Sequence, residues 1–366
     1  MIFPPATCPR LIVKVGSALL VAPDGAVRRT WLATLVADIA ARVAAGQQVA
    51  IVSSGAIALG ARRLGLAKGG RASLEDAQAA AATGQIALSQ TWAELLGTHS
   101  ITAAQMLVTL DDLEDRRRYL NAAATLGRLL GLGVVPVINE NDSVATAEIR
   151  FGDNDRLAAR VAQAAGAQGV VLLSDVDGLY DANPHTNPGA RHIALVERID
   201  TVAGMADGGS ASGMGSGGMV SKIAAARIAT AAGAHLAIAS GRQEHPLEGE
   251  QRHTLFVAER SASARKAWLA GGLTAKGAIH VDAGAAKALA AGSSLLAAGV
   301  VRIEGTFSRG DLVTIEGPPG VLARGLSEYD AGDAVRLMGT RSDEQAMILG
   351  YAPRAAVVHR NHLALL

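Results

Sequence analysis

Cysteine is almost absent: Cys8 stands alone among 366 residues, which excludes an intramolecular disulfide and any cysteine-rich metal centre. An excess of one charge is absent as well. A formal net charge of +1 gives no overall attraction to a polyanion such as nucleic acid. Aromatic residues make up only 3%, so helices built from this alanine- and glycine-rich chain are expected to pack closely through small side chains. No uncharged apolar run reaches the ~18 residues of a membrane span. Met1 to Arg10 carries three prolines and lacks the basic segment and apolar run of a secretion signal. A soluble cytoplasmic protein with no membrane partner is the expectation.

What is present is enough apolar material for a large core: 49% hydrophobic against 18% charged residues. At about 150 residues per domain, the length suggests two folding units. Leu11 to Val15, Val49 to Val52, Ile101 to Val108, Val134 to Ile138, Gly169 to Leu173 and Ala234 to Ala239 read as strands. Between them, Thr30 to Ala45 (with Thr30 as its cap), Leu74 to Leu96, Tyr119 to Leu130, Arg156 to Ala165 and Met219 to Ala232 have helical spacing. Apolar strands alternating with helices give an α/β fold, a mainly parallel sheet sandwiched by helices. Ser261 to Gly277 is small and polar. Beyond it, short apolar runs at Ala278 to Val281, Gly299 to Ile303, Asp311 to Ile315, Val321 to Gly325 and Ala334 to Met338 predict a second, β-rich domain. The division expected is 1–262, a linker 263–275, and 276–366.

In parallel sheets ligands collect beyond the carboxyl ends of the strands. The polar clusters Gly16-Ser17, Ser53-Ser54-Gly55, Asn139 to Ser143 and Ser174-Asp175 all lie there, so one site fed by several strand ends is expected. Lysine is scarce, six against 28 arginines, and two lysines stand out. Lys14 interrupts an apolar strand, where a cation must snorkel out or meet an anion. Lys222 follows a stretch in which six of the eleven residues from Gly208 to Gly218 are glycine, a potential anion cradle at the start of a helix. Gly213 to Gly218 matches G-x-G-x-x-G but has no strand before it, and Lys222 comes four residues after Gly218 where a Walker A lysine follows glycine directly; neither motif applies. Asn139 to Ser143 and Phe151 to Asp155 concentrate carboxylates and amides. Turn chemistry alone could explain them, but carboxylates on one side and two lysines on the other suit an amino acid meeting a nucleotide phosphate.

Five segments carry a family resemblance: Val13-Lys14-Val15-Gly16-Ser17, Val52-Ser53-Ser54-Gly55-Ala56-Ile57, Val135 to Asp142, Gly152-Asp153-Asn154-Asp155, and Gly215 to Lys222. In this order the chain resembles the glutamate 5-kinases of the amino-acid kinase type over essentially its whole length. The part from about Lys276, with Gly305-Thr306-Phe307-Ser308-Arg309-Gly310, looks like a PUA domain. The resemblance implies ATP-dependent, Mg²⁺-assisted phosphorylation of the glutamate γ-carboxylate to γ-glutamyl phosphate, the first step of proline synthesis. It places the catalytic groups on Lys14, Lys222 and Asp155, with Asp155 organising the two lysines. ATP binding falls on Lys14, Gly16, Ser174, Asp175, Ser216, Gly217, Gly218, Met219, Val220, Ser221 and Lys222; Ser174 replaces the threonine expected there and keeps a hydroxyl. Glutamate binding falls on Ser54, Asp142 and Asn154, with Asp153 close by. No metal ligands are assigned.

The same resemblance implies feedback inhibition by proline, linked to the charge run Asp111 to Arg118, a homo-oligomer (dimer or tetramer), and a glutamyl-phosphate reductase as metabolic partner. That charge run also reads as an ordinary solvated helix entrance. Related kinases phosphorylate acetylglutamate, aspartate, carbamate or a nucleoside monophosphate. The acidic loops favour an acceptor with a free ammonium group. A PUA-like tail allows a rival reading as an RNA-binding module, but the tail shows no basic stripe.

Overall fold

The structure, a computed structural model, describes residues 1–22, 24–144, 153–184, 186–202, 218–259, 275–318 and 320–366. Phe151, Gly152, Ser216, Gly217 and all of the expected linker except Ala275 lie outside the described residues. The chain divides into two compact units, one from Met1–Glu114 and Ala122–Glu259, the other from Asp115–Asn121 and the chain beyond Glu259.

The first unit is built on eight strands. In chain order its elements are β1 (Arg10–Val15), α1 (Ser17–Leu20), α2 (Arg29–Ala44), β2 (Gln48–Ser53), α3 (Ala56–Leu64), α4 (Leu74–Gly97), β3 (Ala103–Val108), α5 (Leu110–Glu114), α6 (Arg116–Gly131), β4 (Val135–Glu140), α7 (Asn154–Ala165), β5 (Gly169–Ser174), β6 (Leu179–Tyr180), β7 (His192–Ile193), β8 (Leu195–Val196), α8 (Met219–Ala231), β9 (His235–Ser240) and β10 (His253–Phe256). The strand order is β3-β4-β2-β1-β5-β9-β10-β8. From β3 to β9 every pairing is parallel, and β10 runs antiparallel to β9. β6 and β7 form a separate two-stranded ribbon.

Apart from Lys14, the interiors of the central strands are apolar because both faces are covered. Ile12, Val52, Val170, Leu172 and Ile238 pack on one face with Leu157 and Ala158 of α7 and Ala225 and Ala226 of α8. Leu11, Val13, Val15, Ile51 and Leu173 pack on the other with Leu32 and Leu35 of α2 and Leu88 and Trp92 of α4. The order reverses at β1: the chain builds β2, β3 and β4 on one side, then crosses to β5 and β9 on the other. That switch point opens a crevice beyond the carboxyl ends of β1, β2 and β5. Among the described residues no helix is long and apolar enough to cross a membrane.

Two local expectations are corrected. Thr30 is not the cap of α2, which starts at Arg29 behind Arg28 without a side-chain cap. α3 is a helix that the strand-and-helix spacing did not single out. It packs on α4 backbone to backbone: a Cβ on Gly60 would lie 1.7 Å from the Ala80 carbonyl oxygen, and one on Gly84 1.8 Å from that of Ala56.

The second unit holds the mixed sheet β12-β11-β13-β14-β15, formed by β11 (Gly277–Val281), β12 (Val300–Gly305), β13 (Leu312–Gly317), β14 (Gly320–Leu326) and β15 (Leu363–Leu365). Helices α9 (Ala283–Ala290), α10 (Ala331–Leu337) and α11 (Gln345–Leu349) accompany it. The run Ala334 to Met338 was expected as a strand and is instead the end of α10. Ala334 and Leu337, three apart, are buried while Val335 is exposed, the spacing of a helix face.

Candidate active site

Side chains alternate along a strand, and that alternation decides where Lys14 goes. Leu11, Val13 and Val15 join the layer of α2 and α4, so Lys14 shares the other face with Ile12, towards α7 and α8. Only 7% of Lys14 is exposed, and its ammonium group meets an anion there. Lys14 Nζ lies 2.6 Å from Asp155 Oδ1, and Lys222 Nζ lies 2.9 Å from Asp155 Oδ2. Asp155 belongs to the first turn of α7 and Lys222 to the opening turn of α8, so one carboxylate spans two ammonium groups from remote parts of the chain.

Burial alone would raise the pKa of Asp155, but the two ammonium groups outweigh it and hold the carboxyl below its ordinary range. Burial lowers Lys14; Asp155 opposes the shift and Lys222 adds to it. Two positive groups around one negative leave net positive charge in a largely buried crevice. Such a place favours an incoming anion far more than the same charges would in water.

Facing this triad is a hydrogen-bonded row of neutral groups. Asn139, at the end of β4, donates to Gln85 Oε1 of α4 at 2.8 Å. Asn154, the first residue of α7, donates to Asn139 Oδ1 at 3.2 Å and to Ser54 Oγ at 2.7 Å. Asn154 Oδ1 is buried with no hydrogen-bond partner among the described residues. Asp142 is 6% exposed and its Oδ1 also has no partner among the described residues. Burial pushes the Asp142 carboxyl up to about 6, with Arg71 pulling the other way. Two buried acceptors left open beside one crevice call for a donor that the protein itself does not supply.

Lys14, Gly16, Ser54, Asp142, Asn154, Ser174, Asp175 and Lys222 all line one cavity. The start of α3 contributes as well: Gly55 precedes it with φ of 109°, a conformation glycine adopts freely, and Gly55, Ala56, Ile57 and Ala58 line the cavity. Other expected residues fall elsewhere. Asp153 caps α7 by accepting from the Arg156 N–H at 3.2 Å and accepts a close hydrogen bond from the Ser221 hydroxyl. It ties the starts of α7 and α8 together and is not among the lining residues. Gly218, Met219, Val220 and Ser221 form the entry to α8, of which only Lys222 lines the cavity; Val220 is 59% exposed. In the charge run, Asp112 accepts from the Thr109 N–H and Asp115 from the Arg118 N–H, which is helix-entry chemistry.

Three contributors were not among the expected site residues. Gln85 and Asn139 complete the neutral row, and Arg71 lines the cavity from the connection between α3 and α4. Asn139 lay in a cluster already of interest. Gln85 and Arg71 carry no motif and no periodic signal.

The cavity's donors can be tested against the divalent ion that a phosphotransferase uses with its nucleotide. Both oxygens of Asp155 are held by lysine, and among the described residues no group of three His, Cys, Asp or Glu side chains converges here. The lining set fits an ion carried by phosphate oxygens and water, with Asp175 as a lining carboxylate free of lysine.

Comparison with known proteins adds to this geometry. The amino acid kinase family matches residues 9–240 and the PUA domain residues 277–349. A glutamate 5-kinase of Sphingopyxis alaskensis is 74% identical over 100% of both chains. One of Novosphingobium aromaticivorans is 63% identical over 99% of this chain and 97% of its own. One of Zymomonas mobilis is 61% identical over 100% of this chain and 93% of its own.

Proposed function

Because the chain belongs to the amino acid kinase family, we propose that it transfers the γ-phosphoryl group of ATP to the side-chain carboxylate of glutamate, yielding γ-glutamyl phosphate for proline synthesis. The observation that carries this reading is the Lys14–Asp155–Lys222 triad facing the Ser54, Asn154 and Asp142 side of one cavity.

A glutamate γ-carboxylate has an ordinary pKa of about 4.3, so it is already a nucleophilic anion at neutral pH and needs no general base. Among the described residues no histidine lines the cavity. An anion attacking an anionic phosphate needs neutralisation and in-line placement instead. Lys14 would hold the nucleotide phosphates, and Lys222 would stabilise the phosphoryl group as it moves. Asp155 keeps the two ammonium groups together without quenching their combined charge. Ser174, Asp175 and the entry to α8 would lie along the nucleotide. A bound Mg²⁺ would neutralise further phosphate charge beside Asp175.

On the acceptor side, Asp142 would take the α-ammonium group, with Ser54 and Asn154 holding polar atoms of the substrate. The pH dependence follows. Burial pushes the Asp142 carboxyl up to about 6, and it must be ionised to pair with an ammonium. kcat/KM for glutamate is expected to be flat above that pH and to fall roughly tenfold per unit below it. Asp142→Asn should lower the plateau and abolish that limb; an unchanged limb in the variant assigns the titration to another group.

Inhibition by proline at the glutamate site, a homo-oligomeric state, a cytoplasmic location and a reductase that consumes the acyl phosphate belong to the same reading. The test is a coupled assay with ATP and Mg²⁺ offering glutamate, acetylglutamate and aspartate separately. Turnover of glutamate alone supports the proposal. Preference for acetylglutamate, which lacks the ammonium group, overturns it.

A further inference from the structure

Among the described residues that line the cavity, one cation, Arg71, is not used by the phosphoryl-transfer step. Lys14 and Lys222 are both tied to Asp155, whereas Arg71 lines the same space with no hydrogen-bond or ion-pair partner for its guanidinium among the described residues. It is electrostatically coupled to Asp142. We propose that Arg71 reads the α-carboxylate of the amino-acid acceptor, making it a specificity-determining residue for substrates that carry a carboxylate beside the ammonium group. The inference rests on glutamate being the acceptor.

The backbone before Arg71 is shaped to deliver it. Lys68, Gly69 and Gly70 have φ of 50°, 62° and 75°, three successive left-handed residues of which the first has a side chain. A non-glycine residue is strained in that conformation and persists there only where the surroundings enforce it. Gly70 is lodged between helices: a Cβ would lie 2.9 Å from that of Ala61 and 3.1 Å from that of Ala80. The loop is thus clamped to α3 and α4, the helices that bring Ala56 and Gln85 to the site, and Arg71 follows at once.

The chemistry matches group by group. Glutamate carries a γ-carboxylate, an α-ammonium and an α-carboxylate. The first is the nucleophile facing the lysines, and the second pairs with Asp142. The third needs a cation close to Asp142, because ammonium and carboxylate share one carbon. Guanidinium suits a carboxylate through two parallel N–H donors, a geometry that ammonium does not reproduce.

The experiment compares glutamate with 4-aminobutanoate, which keeps the ammonium and the reacting carboxylate but lacks the α-carboxylate. Wild type should favour glutamate strongly. Arg71→Ala should raise KM for glutamate by roughly 10- to 100-fold, the worth of a hydrogen bond to a charged group. It should leave KM for ATP unchanged and narrow the preference over 4-aminobutanoate by a similar factor. Arg71→Lys should recover part of it. Wild type that ignores glutamate overturns both this inference and the proposed activity. Wild type that uses glutamate, with an alanine variant that keeps its KM and its preference, overturns this inference alone.

Discussion

Lys222→Ala is expected to remain folded, to keep a KM for glutamate close to that of the parent, and to lose about 10²–10³ in kcat, the scale found when one preorganised charge-stabilising donor is removed. The fold should survive because Asp155 keeps Lys14 at 2.6 Å, so no buried charge is left uncompensated. The loss should fall on kcat because the second ammonium matters most as charge moves with the departing phosphoryl group. Asp155→Ala should behave differently. With the bridging carboxylate gone, two buried ammonium groups face each other, and stability should fall along with activity. Steady-state kinetics and thermal melts on both variants separate the two effects. A Lys222→Ala enzyme with parental kcat would remove that lysine from the chemistry.

The second large effect is steric and lies outside the polar site. Gly84→Ala would place a methyl carbon 1.8 Å from the carbonyl oxygen of Ala56, and Gly60→Ala one 1.7 Å from that of Ala80. Backbone cannot swing aside as a flexible side chain can, so α3 must move off α4. Overpacking of this kind typically costs about 1–3 kcal/mol, and more where the backbone is rigid. A domain of this size should lose roughly 2–4 °C in Tm for each kcal/mol. The injury should also reach the substrate, because the first residues of α3 line the cavity. A rise in KM for glutamate should accompany the fall in Tm. A variant melting within a degree of the parent would show that the two helices have slack which their separation denies.

Much of the parallel sheet could be read in the chain because its causes are local. β2, β4, β5 and β9 are apolar runs, each closed by polar residues, and β1 is one interrupted by Lys14 and closed by Gly16. Their boundaries in the fold fall within one residue of those the patterning implies, except that β4 runs two residues past Ile138 to Glu140. α3 escaped notice because only nine residues separate its start from its end, and Gly60 breaks the apolar stripe for the sake of contact with Ala80. Ala334 to Met338 misled for a related reason. The five residues Ala334-Val335-Arg336-Leu337-Met338 suit either period, and only their packing selects the helix.

Primary structure alone settled that polar groups would gather at strand ends, and it marked Lys14 and Lys222 as lysines out of place, since burial of a cation demands an anion. The partner itself was not dictated locally. That Asp155 bridges both ammonium groups while Asp153, two residues earlier, turns away to cap its helix depends on which face of α7 meets β1 and α8. Arg71 lines the cavity, and Gln85 meets Asn139 beside it, from two helices, or the connection between them, that two glycines allow to touch. Contacts between residues remote in sequence exist only once the chain has closed, and no stretch of neighbouring residues encodes them.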